Sequence, residues 1–255
     1  MISFTYEQVS LWLGMYLWPF VRVLALFMTA PILHDQAVPA RVKIAFSLLV
    51  SLLVAPLLPA EQHVPISSPH APLVLAQQVL IGATIGFAVR LVFAALELAG
   101  DVIGLQMGLS FAGFISPGTG EQTPIVGSFL GMVATLIFFA INGHLLLVAA
   151  VTESFHSLPV TEGPGPQINV AAMVAAGGEV FRIGLHVALP VLATMLILNL
   201  ALGVLARVAP QLNVFAIGFP ATLLVGIIAL MFALPTLGPV LQQVLAQSVS
   251  FLPLR

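Results

Sequence analysis

Residues 214–234 read VFAIGFPATLLVGIIALMFAL, twenty-one consecutive positions without a charged side chain. An α-helix rises about 1.5 Å per residue, so roughly 20 apolar residues cross the ~30 Å hydrocarbon core of a bilayer. This run is long enough alone. Leu, Ala, Ile and Met fill it without the in-out alternation of a membrane barrel strand, so it reads as a helix. Outward from it lie five further apolar runs: residues 11–33, 42–58, 73–96, 125–151 and 171–205. The second of these barely meets the spanning length and the fifth exceeds it, which predicts tilt, kinks or incomplete spanning. The fold class is all-α, with about six long apolar helices of membrane type.

Composition supports this over any soluble reading. Of 255 residues, 60% are hydrophobic and 6% charged, against roughly 25% charged in ordinary soluble domains. The seven Lys and Arg with nine Asp and Glu cannot cover the surface of a soluble core of this size. The solvent of this chain is lipid, other protein, or both. The net charge of −2, with no basic run, sets aside nucleic acid. There is no cysteine, so disulfides, thiolate metal sites and cysteine nucleophiles are excluded. The apolar run after Met1 to Ser10 is too long for a signal-peptide core, and the N-terminus is expected to be retained.

Proline marks the connections: Pro56 and Pro59, residues 65–72, 117–124 and 159–166, and Pro210. Pro190 falls inside the fifth run and predicts a bent or broken helix near Leu189. Arg41 and Lys43, Arg90 and Arg207 fall on alternate loops in this reading, and loops 60–72 and 152–169 contain no Lys or Arg. The positive-inside rule then places three turns in the cytoplasm and both termini outside, with Arg255 weighing against it.

No enzyme site emerges, and neither a cofactor nor a metal is expected. The six histidines never form the i, i+4 pair with a nearby glutamate of a helical zinc site. GLSFA at residues 108–112 misses a nucleophile elbow by its last position and follows no strand, so Ser110 reads as a loop hydroxyl. No Gly-rich turn ends in Lys followed by Ser or Thr to cradle phosphate. More informative are small residues four apart: Gly82 with Gly86, Gly100 with Gly104 and Gly108, and Gly127 with Gly131. Such seams let helix backbones approach closely, either inside one bundle or between neighbouring subunits.

Charge inside the apolar runs is costly, about 2.5–3.5 kcal/mol at a bilayer centre on insertion scales. Arg22 lies mid-run and has no partner in its own run, which asks for one on another chain. Glu179 and Arg182 are three apart and can pair on one helix face. Glu97 and Asp101 are four apart, just past the third run. These charges are expected to be buried, paired or facing water.

Residues 104–124 read GLQMGLSFAGFISPGTGEQTP, with Met107, Phe111, Phe114 and Ile115 set among Gly, Ser and Pro. Two readings stand for this segment: a movable hydrophobic stopper, and a re-entrant turn.

The stretches PILHDQAVPARVKIAFSLLVSLLVAPLLP from Pro31, GLSFAGFISPGTGEQTP from Gly108 and, most specifically, APQLNVFAIGFPATLLVG over residues 209–226 resemble the FliR family of type III secretion export-gate proteins, including its injectisome counterparts. The likeness covers nearly the whole chain. It departs at residues 113–119, where Ser116 precedes Pro117 in place of an acidic residue frequent in relatives.

The resemblance implies a single-copy subunit that joins several copies of FliP and FliQ in a helical gate, near FlhB and within a machine that includes FlhA. It implies a FliP-like part at residues 1–170 and a FliQ-like hairpin at 171–255, with Arg207, Pro210 and Asn213 at the hairpin's cytoplasmic turn. The gate would sit at the flagellar basal body in the bacterial inner membrane and pass unfolded flagellar proteins. By the same resemblance, Met107, Ser110, Phe111, Phe114 and Ile115 form a pore plug, and Gly108, Gly113, Gly118 and Gly120 its hinges. Three rivals remain: an injectisome gate with effector cargo, a small-solute secondary transporter, and a purely structural membrane scaffold. The transporter is expected to show paired broken helices with ionisable residues at mid-membrane, and no inverted repeat is evident.

Overall fold

The computed structural model describes residues 5–34, 38–58, 64–109, 124–163, 170–211 and 213–250. Among these the chain is all-α: α1 Tyr6–Thr29, α2 Pro31–His34, α3 Ala40–Val54, α4 Ala71–Gln106, α5 Ile125–Ala140, α6 Gly143–Ser157, α7 Val170–Val208 and α8 Val214–Ser250. A 3₁₀ turn, Ala55–Leu57, follows α3, with Pro56 near its start. Five helices are long and apolar enough to cross a membrane, and α5 with α6 makes a sixth if counted as one broken span.

Several boundaries differ from the apolar runs. The run at 125–151 is two helices bent by 70°, because Asn142 takes a left-handed conformation (φ 57°) that few side chains other than Asn and Asp tolerate. The run at 73–96 continues as helix through Glu97 and Asp101 to Gln106. This extension also corrects the position of Arg90, which lies within α4 and not at a turn. The last run extends to Ser250 and contains Pro220, Pro235 and Pro239. Pro190 does not break α7, which continues to Val208, and the Thr194 hydroxyl donates to the Pro190 carbonyl at 2.9 Å.

What stops α4 is visible in its last turn. The Leu109 N–H donates to the Gly104 carbonyl and the Gly108 N–H to that of Leu105, with Gly108 at φ 79°. These are the two bonds of a Schellman motif, in which glycine takes the left-handed position after the helix. At the other hairpin, α7 ends just before Pro210, and the Asn213 side chain and carbonyl both accept from the Ala216 N–H to cap α8.

The chain divides into two compact units, residues 1–90, 142–173 and 245–255 in one and residues 91–141 and 174–244 in the other. In the first, α3 has an inverted polarity. Its buried face carries Lys43, Ser47 and Ser51 beside Val50 and Val54, while Val42, Phe46, Leu49 and Leu53 are exposed. A helix in water would reverse this pattern. Phe46 stacks on Phe27 of α1 at 5.3 Å between ring centroids.

In the same unit two connecting segments are tied to α1 and α4. The Trp18 indole donates to the Val64 carbonyl at 2.8 Å, and the Gln77 side chain donates to the Gly163 carbonyl at 3.2 Å. Backbone outside helices is thereby satisfied by protein, as an apolar setting requires.

Candidate functional site

Arg22 lies in the interior of the first unit with 0% of its surface exposed. Its Nε donates to Gln78 Oε1 of α4 at 2.7 Å, one terminal nitrogen to Ser154 Oγ of α6 at 3.0 Å, and the other to the Leu158 carbonyl at 2.9 Å. The guanidinium carbon sits 3.8 Å from the centroid of the Phe155 ring. The planar fork of arginine reaches three acceptors in fixed directions, and the π-face adds a cation–π contact. The expectation that Arg22 finds its partner on another chain is therefore corrected: its partners are on α4, α6 and the segment after α6. They lie 56, 132 and 136 residues away, so local sequence could not show them.

The glycine seams also close within the chain. A Cβ on Gly82 would fall on the Arg22 carbonyl and one on Gly86 against the Thr29 hydroxyl, so α4 lies close along α1. In the second unit α4 and α5 approach as tightly. A Cβ on Gly100 would lie 2.6 Å from the Gly127 Cα and the Val126 carbonyl, and one on Gly127 would strike the Asp101 carboxylate. A Cβ on Gly131 would lie 3.1 Å from Glu97 Oε1, a looser approach, and one on Gly104 would meet Val126 at 3.4 Å, ordinary contact.

Above this seam, α8 holds the end of α4. Met107 is buried; a Cβ on Gly226 would lie 2.5 Å from its Cγ. The Thr222 hydroxyl lies 3.2 Å from the Met107 carbonyl and 2.9 Å from that of Phe219, so one proton serves both. The Met107 carbonyl is among those that a helix end leaves without an intrahelical donor. Thr222 and Gly226, four apart on α8, together grip this residue.

Of the plug residues expected from sequence, Met107 is thus placed, and Gly108 terminates α4. Ser110, Phe111, Phe114 and Ile115, with Gly113, Gly118 and Gly120, lie outside the described residues. Arg182 and Glu179 pair as their spacing predicts, at 2.6 Å. Their burial is not seen in this chain: the side chains are 70% and 46% exposed. Arg207 and Pro210 are exposed at the end of α7, and Asn213 caps α8.

Sequence reasoning missed Gln78, Ser154, Phe155, Thr222 and Gly226. The last two stand inside the most specific stretch, at residues 209–226, where their four-residue spacing was the available signal.

A sequence profile described as bacterial export proteins, family 1, matches residues 13–248. The chain is similar to the flagellar biosynthetic protein FliR of Escherichia coli (strain K12), 43% identical over 261 residues covering 100% of both chains. It is similar to the protein of the same name from Pectobacterium carotovorum subsp. carotovorum, 44% identical over 239 residues, 94% of this chain and 91% of that one. Flagellar biosynthetic protein FliR of Buchnera aphidicola subsp. Acyrthosiphon pisum (strain APS) is 35% identical over 253 residues, 99% of this chain and 97% of its own.

Proposed function

The chain belongs to the bacterial export proteins, family 1, and from that premise we propose that it is a subunit of the flagellar export gate, forming with FliP- and FliQ-type proteins the channel for unfolded flagellar proteins. Membership and full-length likeness to flagellar relatives make it a membrane component of the flagellar export apparatus. In this reading it resides in the bacterial inner membrane at the basal body and performs no covalent chemistry. FlhB- and FlhA-type proteins are its further neighbours. Residues 1–170 are the FliP-like part and 171–255 the FliQ-like hairpin.

One observation supports an assembled gate above the others. Helices α4, α7 and α8 have 36, 39 and 37 residues, each about 54–59 Å long at 1.5 Å per residue. That is almost twice the ~30 Å of hydrocarbon that a bilayer offers. Yet only 22% of the most apolar window of α7 and 11% of that of α8 is covered by this chain. On α7 exposed apolar side chains run from Val174 to Val208, about 51 Å at 1.5 Å per residue and more than lipid tails cover, so this face calls for other protein. The exposed Glu179–Arg182 pair fits the same need, since lipid tails accept charge poorly. In this reading the segment 104–124 is the stopper, closing the shared pore by excluding water.

Co-expression tests the proposal. A tagged chain should co-purify with the FliP- and FliQ-type proteins of its own cell and restore secretion of hook and filament subunits to a strain lacking it. A chain that restores secretion while purifying free of both would overturn the channel reading.

A further inference from the structure

We propose that the end of α4 is held on two sides, against the start of α5 by the glycine seam and against α8 by Thr222 and Gly226, so that it stays fixed to both while export proceeds. The inference rests on the export reading above. It assigns a role to Thr222, Gly226, Gly104 and Val126, the residues that position Met107 and Ile125 on either side of the 110–123 segment.

Three contacts in the second unit carry it. The first is the seam, where Gly100 and Gly104 bring α4 onto Val126 and Gly127 at the first turn of α5. A gap of 2.6 Å between a Cβ at position 100 and the Gly127 backbone leaves no flexible atom to yield, so the helices cannot slide without losing the fit. The second is the Schellman stop at Gly108, which ends α4 at a defined residue. The third is the hold on Met107: its side chain lies against Gly226 and its carbonyl meets the Thr222 hydroxyl.

Because Met107 is fully enclosed and its terminal carbonyl is satisfied from α8, parting α4 from α8 would expose an apolar side chain and strand a polar group together. Parting α4 from α5 would open the glycine seam and lose its close contacts. Opening of the channel therefore proceeds between fixed ends and not by spreading α4 from α5. In the segment 209–226, Thr222 and Gly226 have the spacing i, i+4, which puts hydroxyl and gap on one face of α8.

The chain contains no cysteine, so engineered pairs report without background. A Cβ at position 104 lies 3.5 Å from the Val126 Cβ, at the short end of the ~3.5–4.5 Å range of disulfides. Gly104→Cys with Val126→Cys should cross-link in the assembled gate under oxidant, and secretion should stay within about twofold of the reduced sample. Secretion that stops on oxidation and returns with reductant would overturn the inference, as would a pair that fails to cross-link in a chain that restores export. If the reduced pair does not restore export, Gly226→Ala tests the α8 contact: its Cβ would lie 2.5 Å from the Met107 Cγ, so ion leak should rise several-fold, and unchanged leak would count against the hold.

Thr222→Val supplies a readout that folding alone does not move. It should raise ion leak several-fold at an unchanged level of chain in the membrane, and unchanged leak would count against the lock. Normal secretion in cells lacking the chain altogether would instead bring down the export reading itself.

Discussion

At the scale of residues, Arg22 shows how a cation is held within an apolar run without a neighbouring carboxylate having to be invoked for its hydrogen bonds. Three N–H groups find Gln78, Ser154 and Leu158, and the ring of Phe155 covers the guanidinium carbon. Hydrogen bonds to a charged group are worth about 1.5–3 kcal/mol each, and the acceptors left behind at a dry site add their own cost. Arg22→Ala should therefore lower the amount of chain in the membrane and its thermal midpoint in detergent. Arg22→Lys should recover only part of the loss, since one ammonium cannot reach three acceptors on three elements. Equal stability of the Lys and Arg forms, measured by thermal unfolding of the purified complex, would show that charge alone suffices. That Arg22 needs satisfaction was legible in the sequence, since a charge in the middle of an apolar run cannot be left alone. Its partners were not, because contacts spanning more than a hundred residues leave no local pattern.

At the scale of elements, hydropathy located the helices, and backbone geometry set their ends. Asn142 bends a run that is apolar on both sides, and the apolar character gives no hint of a left-handed φ. Glu97 and Asp101 interrupt the apolar run without interrupting α4, because they face the glycines of α5. The four-residue glycine spacing was legible as close packing, and a Cβ on Gly82, Gly86, Gly100, Gly104, Gly127 or Gly131 would meet atoms of the same chain. Position decides what a methyl group does. Gly100→Ala forces a Cβ onto backbone and should destabilise the chain by about 1–3 kcal/mol, the usual range for overpacking. Gly203→Ala meets nothing within 4 Å in this chain and should be neutral or stabilising by up to about 1 kcal/mol through helix propensity. Thermal unfolding of the two variants side by side checks this; equal losses would mean that α7 at Gly203 is covered as closely as the seam.

At the scale of the whole molecule, several helices leave apolar surface uncovered by their own chain. α3 turns its polar side inward and its apolar side outward, and α7 and α8 leave most of their apolar length uncovered. A bilayer can cover about 30 Å of such a helix, and the remainder calls for protein. The family membership names the setting in which that protein is found, the flagellar export apparatus. The proposed closure of a shared pore by this chain is tested most directly by removing residues 110–116 and measuring ion leak and secretion together. Cells with the deletion should leak ions only when the companion FliP- and FliQ-type proteins are present, and intact cells should not leak. An unchanged ion barrier with export continuing would contradict the claim and leave the chain a role in assembly alone.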